Sequence, residues 1–165
     1  MALAHVQDTS LVAATAQPTY LTVVLTPTIT AGNVVVVAIF QTVSGTRTYT
    51  VSDDIDGAYT KATAACVIGT PGGVNLFYIT NHTGGSATIT ITHSNATVGF
   101  SAMAMEFNGY TATPVLDAAD ALNESPTSYT THTASASGVS TPNECIAVVA
   151  GITSASIGTG KYCLA

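Results

Sequence analysis

Three aspartates that stand close together are the residues whose spacing most directly suggests chemistry. Asp53, Asp54 and Asp56 precede Gly57 in a short segment between two stretches of strand-like sequence. Carboxylate oxygens are the ligands that a hard cation such as Ca²⁺ prefers, so the three aspartates could form a calcium site. Aspartate and glycine are also ordinary turn residues, because Asx side chains bond their own backbone and glycine permits positive φ. An acidic turn without a metal is therefore the first interpretation, and the calcium site is the second.

The other residues that could do chemistry are scattered along the chain. The four histidines lie in separate segments without a cysteine or histidine at ligand spacing, and we interpret each as a surface or strand residue. They are His5, His82, His93 and His132. Glu106 with Asp117 or Asp120 could form the carboxylate pair of a glycosidase, but most isolated carboxylates are solvated charges. No Gly-x-Ser-x-Gly nucleophile elbow occurs. We therefore expect a protein that is not an enzyme and holds no cofactor other than the calcium considered above.

Charge and hydropathy exclude two classes of partner. Only 7% of the residues are charged, the net charge is −6, and the positive residues are Arg47, Lys61 and Lys161. Nucleic-acid binding needs a basic stripe that neutralises phosphates, so we expect no nucleic-acid partner. No apolar run approaches the roughly 18 residues that span a bilayer, and residues 1–8 lack the features of a signal peptide. We expect a chain that does not enter the membrane and is made without a secretory signal.

The elements that would hold these residues are strands. Ser86 to His93 alternates small or apolar residues with Ser and Thr, which places one row in a core and the hydroxyl groups on the opposite face. Val34 to Phe40 is a continuous apolar run and predicts a central strand covered on both faces. The whole chain of 165 residues fits one domain. The predicted fold is all-β, an antiparallel β-sandwich that is jelly-roll-like or immunoglobulin-like.

Turn residues divide the chain into further strands. Strands are predicted at 3–7, 20–26, 46–52, 59–68, 74–79, 98–107, 129–135 and 144–152. Residues 110–128 have no alternation and predict a long connection. The last residues, 161–165, resemble the start of a strand and predict an incomplete C-terminal edge that a neighbouring subunit could complete.

Several segments share their pattern of turns and strands with a known protein family. They are Ala31-Gly32-Asn33-Val34-Val35-Val36-Val37, Thr50-Val51-Ser52-Asp53 with Gly57-Ala58-Tyr59-Thr60, Gly84-Gly85-Ser86-Ala87-Thr88-Ile89-Thr90-Ile91, and Pro114-Val115-Leu116-Asp117. The chain, over roughly residues 6–152, resembles the Thr/Ser-rich β-sandwich proteins and modules of tailed-phage virions and bacterial surfaces. The resemblance implies a sandwich on a particle or cell surface and names no catalytic residue.

The resemblance and the sparsely charged surface together lead to an expected function. We expect a virion structural protein, a decoration or cement protein that stabilises an assembled phage capsid and is located in a virion assembled in the host cytoplasm. Its partners would be the major capsid protein or another virion protein and further copies of itself, in a homo-oligomer such as a trimer. Two alternatives are a tail-fibre or surface module that binds glycan and an extracellular fibre subunit.

Overall fold

The structure is a computed structural model that describes residues 4–13, 20–41, 48–62, 66–67, 73–94 and 100–109. All regular secondary structure in these ranges is β-strand, as the sequence predicts. The predicted connection over 110–128, the strands predicted at 129–135 and 144–152 and the C-terminal edge lie outside the described residues. Asp117, Asp120 and His132 lie outside them as well.

Eleven strands form two antiparallel sheets. They are β1 (Ala4–Asp8), β2 (Val12–Ala13), β3 (Tyr20–Val24), β4 (Val34–Gln41), β5 (Tyr49–Asp53), β6 (Gly57–Ala58), β7 (Thr60–Lys61), β8 (Cys66–Val67), β9 (Gly73–Ile79), β10 (Thr88–His93) and β11 (Phe100–Asn108). One sheet has seven strands in the order β1-β11-β4-β9-β7, with β2 also on β11 and β8 also on β9. The other has four strands in the order β3-β10-β5-β6.

The strands at the two ends of the described chain pair with each other, and this nested pairing continues inward to β5 and β6. The described chain therefore forms one long hairpin that is rolled into two sheets. β1 and β2 pair with β11, β3 pairs with β10, β4 pairs with β9, and β5 pairs with β6. The additional pairs β11 with β4 and β10 with β5 arise where the hairpin folds over itself. This is the strand order of a jelly roll, which decides between the two sandwich types expected from the sequence. The acidic turn between β5 and β6 is the tip of the hairpin.

The seven-stranded sheet is buried on both faces along its central strands. On β4, Val35, Val37 and Ile39 point into the sandwich, while Ala38 and Phe40 belong to a second apolar cluster on the opposite face. Alternate side chains of β11 divide in the same way, with Ala102 and Ala104 inside and Met103, Met105 and Phe107 outside. The prediction of a central strand covered on both faces is confirmed for β4, whose neighbours are β11 and β9.

The four-stranded sheet is buried on its inner face only. Ile89 and Ile91 of β10 are fully buried, whereas Thr92 on the same strand is exposed. The alternation predicted for residues 86–93 is therefore confirmed. β3 follows the same rule, since Val23 is buried and its neighbour Val24 is exposed.

The chain crosses from one sheet to the other at the start of the strand predicted at 59–68. β6 pairs with β5 in the four-stranded sheet, whereas the described strands inside the predicted range, β7 and β8, both pair with β9 in the seven-stranded sheet. The chain crosses between the sheets at Tyr59, whose side chain is buried in the core and whose N–H donates to the carbonyl oxygen of Val51 at 2.8 Å. Thr60 and Lys61, directly after the crossing, are both exposed, so the alternation of buried and exposed side chains ends at Tyr59.

Candidate functional site

The acidic turn begins at Asp53, the last residue of β5. Its Oδ1 accepts hydrogen bonds from the backbone N–H groups of Ile55 at 2.8 Å, Asp56 at 2.6 Å and Gly57 at 3.3 Å. Gly57 has a φ of 83°, a conformation that glycine adopts without a steric cost. The carboxylate of Asp53 therefore closes an Asx-type turn and reverses the chain at the hairpin tip.

The other two carboxylates of the turn bind a neighbouring loop. Asp54 Oδ1 accepts the N–H of Thr88 at 2.7 Å, at the start of β10. Asp56 Oδ2 accepts the N–H of Thr83 at 2.7 Å, and Asp56 Oδ1 accepts the Thr83 hydroxyl. The two side chains thus reach different points of the segment between β9 and β10. Together they fasten the hairpin tip to that segment.

A histidine that the sequence did not single out completes this cluster. His82 is fully buried, in the loop between β9 and β10, so its interpretation as a surface or strand residue is wrong. Its Nδ1 accepts the N–H of Gly84 at 2.8 Å, which places the proton of the neutral ring on Nε2. Nε2 lies 3.2 Å from Asp53 Oδ2, and Nδ1 lies 3.4 Å from Asp56 Oδ2.

Burial and hydrogen bonding have opposite effects on the pKa of Asp53. Burial raises the pKa of this carboxyl, but the N–H groups of Asp56 and Ile55, the Tyr59 hydroxyl and His82 together outweigh burial and hold the pKa below its ordinary value of 3.8. Tyr59 responds in the opposite direction, because burial and the adjacent Asp53 raise the pKa of its hydroxyl. Asp53 is therefore held as the anion that the turn requires.

The structure gathers a different set of possible metal ligands from the one predicted. One ligand atom each from Asp53, Asp56 and His82 all lie within 4.8 Å of one another, whereas Asp54 is directed to Thr88. In this geometry neither imidazole nitrogen offers a lone pair, because Nδ1 accepts from Gly84 and Nε2 carries the proton. Metal binding through His82 would require loss of the Gly84 hydrogen bond. Calcium at the three aspartates stays a prediction, and the described contacts engage each carboxylate with backbone N–H groups.

Glu106 is not the solvated charge expected from the sequence. It lies on β11 with no exposed surface. Its Oε1 accepts the N–H of Thr30 at 2.8 Å and the Asn33 side-chain amide at 2.6 Å, and its Oε2 accepts the Gln7 side-chain amide. The carboxylate joins β1, β11 and the loop before β4, and both of its oxygens accept hydrogen bonds from these donors. The proposed partners in a glycosidase pair lie outside the described residues.

The outward face of the four-stranded sheet is an uncharged surface. We call it the hydroxyl face; its side chains are Tyr20, Thr22, Val24, Thr50, Ser52, Ala58, Thr88, Thr90 and Thr92. The strand register aligns them in rows: Thr90 stands between Thr22 and Ser52, and Thr92 stands between Tyr20 and Thr50. Neighbouring strands are about 4.8 Å apart, so the hydroxyl groups form a regular array. The sequence predicted this neutral exterior, and the structure locates it.

Comparisons with protein-family models, curated proteins and solved structures find no match to this chain. Among the residues that the structure describes, no helix has the length and apolar character needed to cross a membrane.

Proposed function

We propose that this protein is a non-enzymatic virion structural protein that decorates an assembled phage capsid. The observation that carries the proposal is the hydroxyl face, a sheet surface without a single charged side chain. Soluble proteins normally carry charges on about a quarter of their residues, and these charges oppose association. A neutral face on a chain with 7% charged residues is suited to burial against another protein.

The chemistry of the face favours a protein surface as its partner. Burying a hydroxyl group costs less than burying an unpaired charge, and a hydroxyl can donate or accept according to what it meets. Threonine is stiff at χ1, so its ordering on binding costs less entropy than ordering Lys or Arg. Exposed Thr22, Thr50 and Thr92 therefore offer contacts at a low cost of desolvation and ordering.

The opposite side of the sandwich is less suited to this role. Ala38, Phe40 and Met105 on the outer side of the seven-stranded sheet are already buried. The four-stranded sheet is the one whose outward side chains are accessible, with Tyr20 57% exposed and Val24 48% exposed. A protein that binds the assembled shell and not its free subunits would stabilise the shell by mass action. The partner would then be the major capsid protein, and the location would be the virion.

The test is rebinding of the purified full-length chain to stripped capsids of the virus that encodes it. We expect saturable, stoichiometric binding. Thr92→Lys, on the inner strand β10 between Tyr20 and Thr50, should weaken binding by about tenfold or more, because a charge is introduced into a neutral contact. Thr60→Lys is the matched control, since Thr60 is exposed on the edge strand β7 of the other sheet and should bind like the wild type.

Two results would overturn the proposal: no binding to stripped capsids, or equal binding by Thr92→Lys and the wild type. A glycan array on the same samples separates the main alternative. Retention of a saccharide, abolished by Thr92→Lys and unaffected by Thr60→Lys, would assign the hydroxyl face to glycan recognition.

A further inference from the structure

The described sheets have four edges, and three of them carry features that discourage pairing with another chain. β1 includes Asp8 and a register irregularity between His5 and Gln7. β7 carries exposed Lys61 beside β9. β6 is two residues long and directly follows the acidic turn. Charges, bulges and short strands are the usual means by which an edge avoids unwanted strand addition.

The fourth edge, β3, lacks all of these features. Tyr20–Val24 contains no charged residue and no proline, and its pairing with β10 runs without a register shift. In the part of the chain that the structure describes, β10 is the one strand that pairs with β3. Tyr20 and Val24 are also two of the most exposed large apolar side chains among the described residues. Such an edge is a template for one more strand.

We propose that the strand added to β3 is β3 of a second copy of this chain. Antiparallel self-pairing about a two-fold axis at Thr22 places Tyr20 opposite the partner's Val24, and Leu21 opposite the partner's Val23. Residues 20, 22 and 24 share the outward face, so the two exposed apolar side chains cover each other in both halves of the interface. Leu21 and Val23, which face the core, are likewise opposite each other, and all five residues of the strand are paired.

The self-pairing is favourable for two physical reasons. Edge N–H and C=O groups exchange water for cross-strand hydrogen bonds, and an aromatic side chain opposite a β-branched one stabilises antiparallel pairs. The dimer also joins the four-stranded sheets into one sheet, which extends the hydroxyl face across both copies. The dimer does not depend on capsid binding, so the two proposals can fail separately.

The test is the oligomeric state of the full-length chain, measured by light scattering and sedimentation velocity over a dilution series. We expect a dimer for the wild type. Thr22→Lys and Thr22→Glu should each raise the dissociation constant by about tenfold or more, because like charges then meet at the two-fold axis. An equal mixture of the two variants should recover the dimer, since Lys then faces Glu. Thr50→Lys, exposed on β5 of the same face but away from the edge, should stay dimeric.

Recovery in the mixture also shows that each variant is folded, because an unfolded chain could not re-form the pair. The inference is overturned by a wild-type monomer at the highest soluble concentration, by a trimer, by a Thr22→Lys variant that dimerises like the wild type, or by a mixture that stays monomeric. A dimer that fails to bind stripped capsids would overturn the proposed function alone.

Discussion

Removal of the Glu106 carboxylate should be one of the most damaging substitutions in the described part of the chain. Glu106→Ala leaves two buried side-chain amides, on Gln7 and Asn33, and the part-buried N–H of Thr30 without an acceptor. An unsatisfied buried donor costs roughly 1–3 kcal/mol. Removing the buried charge also removes its desolvation penalty, which offsets part of this cost. We expect the free energy of unfolding to fall by about 3–5 kcal/mol. At about 2–4 °C per kcal/mol, the melting temperature should fall by about 10 °C.

Glu106→Gln is the matched control, because it keeps the shape of the side chain. A glutamine can still accept from Thr30 and Asn33 through its carbonyl oxygen. Its amide would face Gln7, whose Oε1 is buried without a hydrogen bond and can accept after the Gln7 amide rotates. Glu106→Gln should therefore lie within about 1 kcal/mol of the wild type. Urea unfolding followed by circular dichroism measures both variants. Equal losses in the two variants, or a loss below about 1 kcal/mol in Glu106→Ala, would refute this account of the site.

Three further predictions concern the hairpin tip and its neighbouring loop. The pKa of Asp53 is below 3.8, so the unfolded chain takes up a proton at higher pH than the folded chain, and the free energy of unfolding should fall as the pH drops through this range. Asp53→Asn should make the free energy of unfolding less dependent on pH in this acid range, as measured by urea titrations at several pH values. An unchanged slope of this free energy against pH would contradict the role of Asp53. Gly84→Ala should cost about 2 kcal/mol or more, because a Cβ would lie 2.8 Å from the Ala31 nitrogen at a φ of 91°. Gly32→Ala, with a φ of 85° and open space around the Cβ, should cost about 1 kcal/mol, and equal losses on thermal melting would count against the steric argument. Millimolar calcium should leave the melting temperature unchanged if the aspartates serve only the backbone; a rise that Asp54→Asn removes would confirm the predicted calcium site.

Local patterning was sufficient to predict the strands whose burial alternates or is continuous. β10 alternates Thr with Ile and has one exposed face, and the apolar run of β4 lies at the centre of a sheet covered on both sides. In both cases the polarity of the side chains within a single strand indicates which of its faces is covered. The neutral exterior could be predicted for the same reason, since it follows from the hydroxyl side chains themselves.

The burial of Glu106 and His82 could not be predicted, because the residues that contact each side chain are distant in the sequence. Glu106 is satisfied by Thr30 and Asn33, which are 76 and 73 residues away. His82 meets Asp53 only because the hairpin tip folds onto the loop between β9 and β10. The signal available in the sequence was Asn81 together with the two glycines after Thr83. In the structure Asn81 has a φ of 55°, and both glycines also have positive φ. They indicate a special backbone conformation and do not name the side chain that it encloses.

The nested pairing has a consequence for how the chain reaches its native state. Gln7 and Glu106 are 99 residues apart, and β1 pairs with β11, so the first of the described strands to be synthesised pairs with the last of them. Such a high contact order predicts folding in milliseconds to seconds, slower than in proteins built from local contacts. During synthesis β4, apolar on both faces, stays unpaired until β9 and β11 have emerged. Nascent chains at this stage are prone to aggregate, so slow translation at low temperature or added chaperone should raise the soluble yield.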